Sequence, residues 1–276
     1  MEAKKRIIVA LDVDTVEKAK PLVEELSDYV GVFKIGLEFI NSMLKEVISG
    51  FWWEAVHNLS EIRQLFKLLS GRILWDGKFN DIPNTVAGAA QVITKLNVKM
   101  FNIHCLSGID ALIAARKTAE EVKENNRPLI LGVTILTSLN YQNLVSMGIV
   151  RNIVYSDKEG QKKAEQNQIQ YLVKNLALLA QEAGLDGVIC SPQEIKMLRE
   201  CCRPKFLIVT PGIRPEWAAV GDQKRIMTPK EAIALGADYL VIGRPITSPP
   251  PEIGSPIEAA KRITQEIEEG LKERGY

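Results

Sequence analysis

FLIVTPGIRPEWAAVGDQKRIMTPKEAIALGADYLVIGRPIT, residues 206–247, holds one complete strand–helix–strand unit. Phe206 to Thr210 and Tyr239 to Gly243 are short apolar runs, and each stops at a residue that breaks the pattern. Between them, Pro229 follows Thr228 at the start of KEAIALG and Gly236 ends it, the usual arrangement of proline just inside a helix and glycine just past it. Outward from this unit the same alternation recurs through the chain. The other apolar runs are Ile7 to Leu11, Val32 to Gly36, Arg72 to Asp76, Met100 to His104, Leu129 to Ile135 and Gly187 to Cys190. With the quoted unit this makes eight strands. The intervening segments carry helix chemistry: Thr15 is placed to cap VEKAKPLVEEL, and Asn58 is expected to cap LSEIRQLFKLL. Eight repeats without a Gly/Ser linker predict a closed (β/α)8 barrel over residues 1–276 as a single domain, and 276 residues suit it. An open doubly wound sheet would want a GxGxxG turn after the first strand, and none is there.

Composition narrows the function. The chain has 35 Lys+Arg against 34 Asp+Glu, a net charge of +1, so no basic excess is available to neutralise a nucleic-acid backbone or a membrane surface. Cys105, Cys190, Cys201 and Cys202 form no CxxC pair and have no zinc spacing with His57 or His104. The apolar run near the N-terminus ends at Asp12, too short for a signal segment, and no apolar stretch is long enough to span a membrane. The expectation is a cytoplasmic protein with reduced thiols, no zinc site built on these cysteines, and no nucleic-acid or membrane partner.

In a barrel of this kind, function collects where the strands end. Those ends carry Asp12, Lys34, Asp76 with Lys78 and Asp81, Asn102 with His104, Thr137 with Ser138, Ser191, Pro211 to Arg214, and Gly243 with Arg244. Asp76 and Lys78 are two apart on an extended segment, so their side chains leave on one face. A lysine among carboxylates keeps its proton and becomes an acid rather than a Schiff-base nucleophile. Lys34 adds a second cation and makes an alternating chain of charges. Gly243-Arg244 follows the last strand, where barrels commonly bind phosphate: glycine admits the ligand to the backbone and arginine clamps it. The plainer reading of His104 is a hydrogen-bonded structural histidine, and His57 has no evident partner.

Together, Asp76-x-Lys78-x-x-Asp81-Ile82-Pro83-Asn84-Thr85, Lys34-Ile35-Gly36, Leu136-Thr137-Ser138, Val209 to Arg214, Gly221 to Met227 and Ile242 to Thr247 resemble the orotidine 5'-phosphate decarboxylase family in order and position. The resemblance runs from Ile7 to about Ile263. It implies a homodimeric, cofactor-free barrel that converts orotidine 5'-phosphate to UMP and carbon dioxide, the last step of de novo pyrimidine synthesis. By resemblance, Asp12 and Lys34 belong to the ribose region and the charge network, Asp76 lies beside the substrate carboxylate, and Lys78 protonates C6. Asp81 and Thr85 would reach the neighbouring subunit's site. Thr137 and Ser138 would meet the pyrimidine, and Arg214, Gln223, Gly243 and Arg244 the phosphate, with Arg214 to Met227 as a lid. The stretch between Gly36 and Asp76 is longer than the family pattern and includes Phe51-Trp52-Trp53. An insertion within 42–70 is therefore expected, as a surface addition, an extra contact or extra core, and Tyr155 to Gln168 is a second candidate extension. Two alternatives are a Mg2+-dependent sugar-phosphate decarboxylase or aldolase of the same superfamily, which typically has a carboxylate in place of Lys34, and a catalytically silent phosphate-binding barrel.

Overall fold

The computed structural model describes residues 1–49, 51–122, 127–218 and 226–275. Eight strands, β1 (Ile7–Ala10), β2 (Val32–Gly36), β3 (Ile73–Phe79), β4 (Met100–His104), β5 (Leu129–Val133), β6 (Gly187–Ile189), β7 (Leu207–Thr210) and β8 (Tyr239–Ile242), pair in chain order. Every pairing is parallel and β8 returns to β1, so the sheet closes on itself. Among the described residues the helices are α1 (Val16–Leu26), α2 (Leu37–Ile48), α3 (Trp52–Leu68), α4 (Pro83–Lys95), α5 (Ile109–Val122), α6 (Tyr141–Ser146), α7 (Lys158–Glu182), α8 (Ile195–Cys201), α9 (Pro229–Leu235), α10 (Arg244–Thr247) and α11 (Pro256–Glu273). No described helix is long and apolar enough to cross a membrane.

The strands are apolar on both faces because helices cover the outside and other strands the inside. Their alternation divides the core in two. Ile7, Val9, Phe33, Ile35, Ile73 and Phe101 pack outward against the helices, while Ile8, Val32, Leu74, Met100, Leu131, Val209 and Tyr239 fill the barrel interior. Gly187 opens β6 where a Cβ would sit 2.3 Å from the Leu207 carbonyl oxygen, so that strand pair closes only around glycine.

Local signals account for most helix ends. Thr15 accepts a hydrogen bond from the Lys18 N–H to start α1. Thr228 and Glu231 form a reciprocal capping box on α9, and Gly236 ends that helix at φ +120°. Asn58 does not cap a helix. It lies inside α3, where its Nδ2 donates to the Glu46 carbonyl at 2.7 Å. The helix starts earlier because the Glu54 carboxylate, at its third residue, accepts the Phe51 N–H, a start signal set directly after three bulky aromatic side chains. Residues 42–70 are thus filled by the end of α2 and by α3. Phe51, Trp52 and Trp53 are all largely exposed, so they are not extra core. Asp157 caps α7, which takes up most of Tyr155 to Gln168.

One strand departs from its expected bounds by more than two residues. β3 continues beyond Asp76 to Phe79, across a register shift against β4 between Trp75 and Phe79. Gly77 and Lys78 end the apolar pattern, but the backbone pairing resumes when Phe79 meets Ile103. The irregularity places Lys78 at φ +47°, a left-handed conformation uncommon for a residue with a Cβ.

Candidate active site

Two residues beyond the apolar interior layer, the same inward positions on the same strands become Lys34, Asp76, Asn102 and Val133. Strand alternation alone puts them in one layer, at the end of the barrel where the strands finish. Lys34 Nζ lies 2.8 Å from Asp12 Oδ1 and 3.4 Å from Asp76 Oδ2, and Lys78 Nζ lies 2.8 Å from Asp76 Oδ1. The sequence Asp12, Lys34, Asp76, Lys78 is therefore a continuous chain of alternating charge. Asp76 and Lys34 are nearly enclosed, with side chains 10% and 12% exposed, and Lys78 opens to solvent at 31%. Burial alone would lower the pKa of Lys34. Asp76 and Asp12 outweigh it, and the ammonium is held above the ordinary lysine range.

Lys34, Asp76 and Lys78 form one wall of a cavity. Leu74, Val133, Ile135, Leu136, Ile189 and Val241 supply an apolar surface, and Thr137 stands at its polar side. Apolar walls with a few converging polar groups suit a small-molecule ligand. Ser138 is exposed just beyond the cavity.

Next to Asp12, at the end of β8, Gly243 starts α10 with its carbonyl accepting the Ile246 and Thr247 N–H groups. A Cβ at Gly243 would come within 3.8 Å of Asp12 Oδ2, so the β8 turn and the charge chain share one mouth. Arg244 is exposed and Arg214 buried. The Arg214 N–H donates to the Met227 carbonyl at 2.9 Å and the Met227 N–H to the Gly212 carbonyl at 3.3 Å, tying together the two ends of the 214–227 segment. Gln223 lies outside the described residues.

Asp81 and Thr85 do not join the charge chain. Both are exposed at the start of α4, and Asp81 Oδ1 accepts its neighbour's Ile82 N–H at 2.7 Å. His104 is half-buried at the end of β4; burial first, and then Lys78, lower its pKa, against a smaller opposing pull from Asp76.

The structure also assembles one side chain to which the motifs gave no role. Asn102, fully buried in β4, donates from Nδ2 to Asp76 Oδ1 at 2.6 Å and accepts the Lys78 N–H on Oδ1 at 2.8 Å. Its signal was present in MFNIH: a polar residue at the inward parity of an otherwise apolar strand.

Comparison with known proteins agrees over the whole length. A protein of Syntrophomonas wolfei named orotidine 5'-phosphate decarboxylase is 42% identical over 275 residues, covering 98% of this chain and 100% of that one. One of the same name from Moorella thermoacetica is 44% identical over 272 residues, with coverage of 97% and 94%. Among solved structures, the orotidine 5'-phosphate decarboxylase of Lactobacillus acidophilus superposes with a TM-score of 0.71 at 30% identity, covering 95% of this chain and 98% of that one. Residues 5–263 match the sequence profile of the orotidine 5'-phosphate decarboxylase / HUMPS family, and the chain belongs to that family.

Proposed function

We infer that the chain converts orotidine 5'-phosphate to UMP and carbon dioxide, the last step of de novo pyrimidine synthesis, and that the work is done by the Asp12–Lys34–Asp76–Lys78 array. The single observation that carries this reading is Asp76 held between two ammonium groups at the mouth of an apolar cavity. In the proposed reaction the bond from C6 to the carboxylate breaks, its electron pair stays on C6, and carbon dioxide leaves. Lys78 stabilises the developing charge and then transfers a proton from Nζ to C6, after which the neutral amine is reprotonated from solvent. Asp76 stands where the substrate carboxylate would arrive and repels it, while Lys34 holds Asp76 in place and stays charged itself. Thr137 and Ser138 would contact the pyrimidine.

Phosphate would be held by Arg214, Gln223, Gly243 and Arg244, with the 214–227 segment closing over it, so that binding far from C6 helps to exclude water. Asp81 and Thr85, exposed and apart from their own site, would complete the neighbouring site of a homodimer. The absence of a nucleic-acid partner fits the neutral charge balance, and a cytoplasmic location fits the short N-terminal apolar run and the lack of a disulfide framework. Neither the Mg2+-dependent sugar-phosphate reaction nor a silent phosphate-binding barrel has support: the named relatives are decarboxylases of orotidine 5'-phosphate, and the Lys34 ammonium sits 3.4 Å from the carboxylate a metal would need.

The direct test adds orotidine 5'-phosphate to EDTA-treated protein and follows the absorbance of the orotate ring. It should fall at the same rate with and without chelator. A rate that vanishes with EDTA and returns with Mg2+ would overturn the reading.

A further inference from the structure

We propose that Asn102 is the positioning residue that holds the Asp76–Lys78 pair in its working geometry, an inference that rests on the reading of Lys78 as the proton donor. The register shift after Trp75 takes Lys78 out of the regular β3–β4 ladder and leaves its backbone at φ +47°. A backbone N–H removed from its ladder needs another acceptor, and the Asn102 side-chain oxygen supplies it at 2.8 Å. The other end of the same amide donates to Asp76 Oδ1 at 2.6 Å, the oxygen that also accepts from Lys78 Nζ at 2.8 Å. Three hydrogen bonds thus close a ring through one amide, one carboxylate and one lysine. The left-handed turn starts the lysine arm, and the carboxylate fixes its far end.

Only an amide of this length satisfies both contacts. Aspartate would keep the acceptor for Lys78 but would set a second carboxylate against Asp76 in place of a donor. Alanine would leave the Lys78 N–H without its acceptor and Asp76 with one donor fewer. In both cases the ammonium loses its fixed position relative to C6, and a shift of about 1 Å at a reacting group costs roughly a hundredfold in rate. Substrate affinity should be spared, because Asn102 is enclosed behind Asp76 and is not among the residues lining the cavity.

The test measures kcat and KM for orotidine 5'-phosphate and Kd for UMP with Asn102→Ala and Asn102→Asp, folding being checked by circular dichroism. The expected result is a fall in kcat of about a hundredfold, with KM and Kd within about threefold of wild type. In a Lys78→Ala background, Asn102→Ala should lower the residual rate no further, since its effect passes through Lys78. Should Asn102→Ala fail to fold, the isosteric Asn102→Asp carries both measurements. A kcat within about threefold of wild type, a rise in KM that accounts for the loss, or an undiminished further loss on top of Lys78→Ala would overturn the proposal. If Lys78→Ala alone stays active, the proton-donor reading fails instead, and the two failures are told apart.

Discussion

The lower and upper layers of the barrel interior stand on the same strands, two residues apart, and they are chemically opposite. Val32, Leu74 and Met100 lie in the lower layer with Ile8 and Leu131, closed to water and packed as hydrocarbon. Lys34, Asp76 and Asn102 are the next inward positions on those three strands, and every polar end there has a partner. Strand alternation is indifferent to residue type, so the barrel can change from core to chemistry within one pleat. The difference teaches where charge is tolerated. An ion in the lower layer would lose hydration with nothing to replace it, whereas Lys34 in the upper layer replaces its lost water with two carboxylates.

The comparison predicts that the layers fail independently. The largest effect belongs to Lys78→Ala, which removes the proposed proton donor from the open side of the upper layer. The variant should lose about a thousandfold or more in kcat while its melting temperature stays close to wild type. Retention of more than about a tenth of wild-type kcat would break the assignment.

A second experiment asks whether the upper layer is complete within one chain. Separate Lys78→Ala and Asp81→Ala proteins should each be nearly inactive. Random subunit exchange makes about half the dimers mixed, each with one intact site of two, so activity should return to roughly a quarter of wild type. If the mixture stays inactive after mass spectrometry has confirmed exchange, Asp81 acts within its own chain.

The lower layer gives the reverse pattern. Leu131→Ala, at a fully buried position, should cost about 2 to 5 kcal/mol of stability and lower the melting temperature by roughly 5 to 15 °C. Below that temperature kcat should remain within about twofold of wild type, because the chemistry rests on the other layer. A tenfold drop in kcat, roughly, would show that the layers are mechanically coupled.

The smallest effect sharpens the contrast from outside the barrel. Glu266, on α11, is a half-buried carboxyl whose named charged neighbours are acidic, unlike those of Asp76. Burial pushes its pKa up to about 7, the Trp217 indole partly offsets this, and Glu216 and Glu269 add to the rise. The folded state therefore holds this proton more tightly than the unfolded chain does. The resulting stability is present at low pH and is lost as pH rises through about 7. Glu266→Gln should raise the melting temperature by about a few degrees at pH 8 and barely change it at pH 5. Equal shifts at both pH values would mean that proton uptake at Glu266 contributes nothing.

Much of this molecule was legible before it folded. The strands came from apolar β-branched runs, and seven of the eight lie within two residues of their expected ends, since burial on both faces leaves a continuous hydrophobic signature. The start of α1 and both ends of α9 were equally plain, because caps are made by neighbours in sequence. Asp76 with Lys78 followed from spacing, and the charge chain from the order of the strand ends.

Other features belong to the tertiary structure. The extension of β3 to Phe79 depends on hydrogen bonds to β4, which a pattern of side chains does not record. That Phe51, Trp52 and Trp53 stay exposed, and so form a surface addition and not extra core, was likewise settled only by what packs around them. Asn102 is the sharpest case. As one residue of MFNIH it showed only that something polar faces inward. What that amide does was decided when barrel closure set β4 beside a strand with a shifted register, bringing a carboxylate and an unladdered N–H within reach of its two ends. Local chemistry specified the elements and the charged residues. Contacts between strands distant in sequence decided which atoms those residues meet.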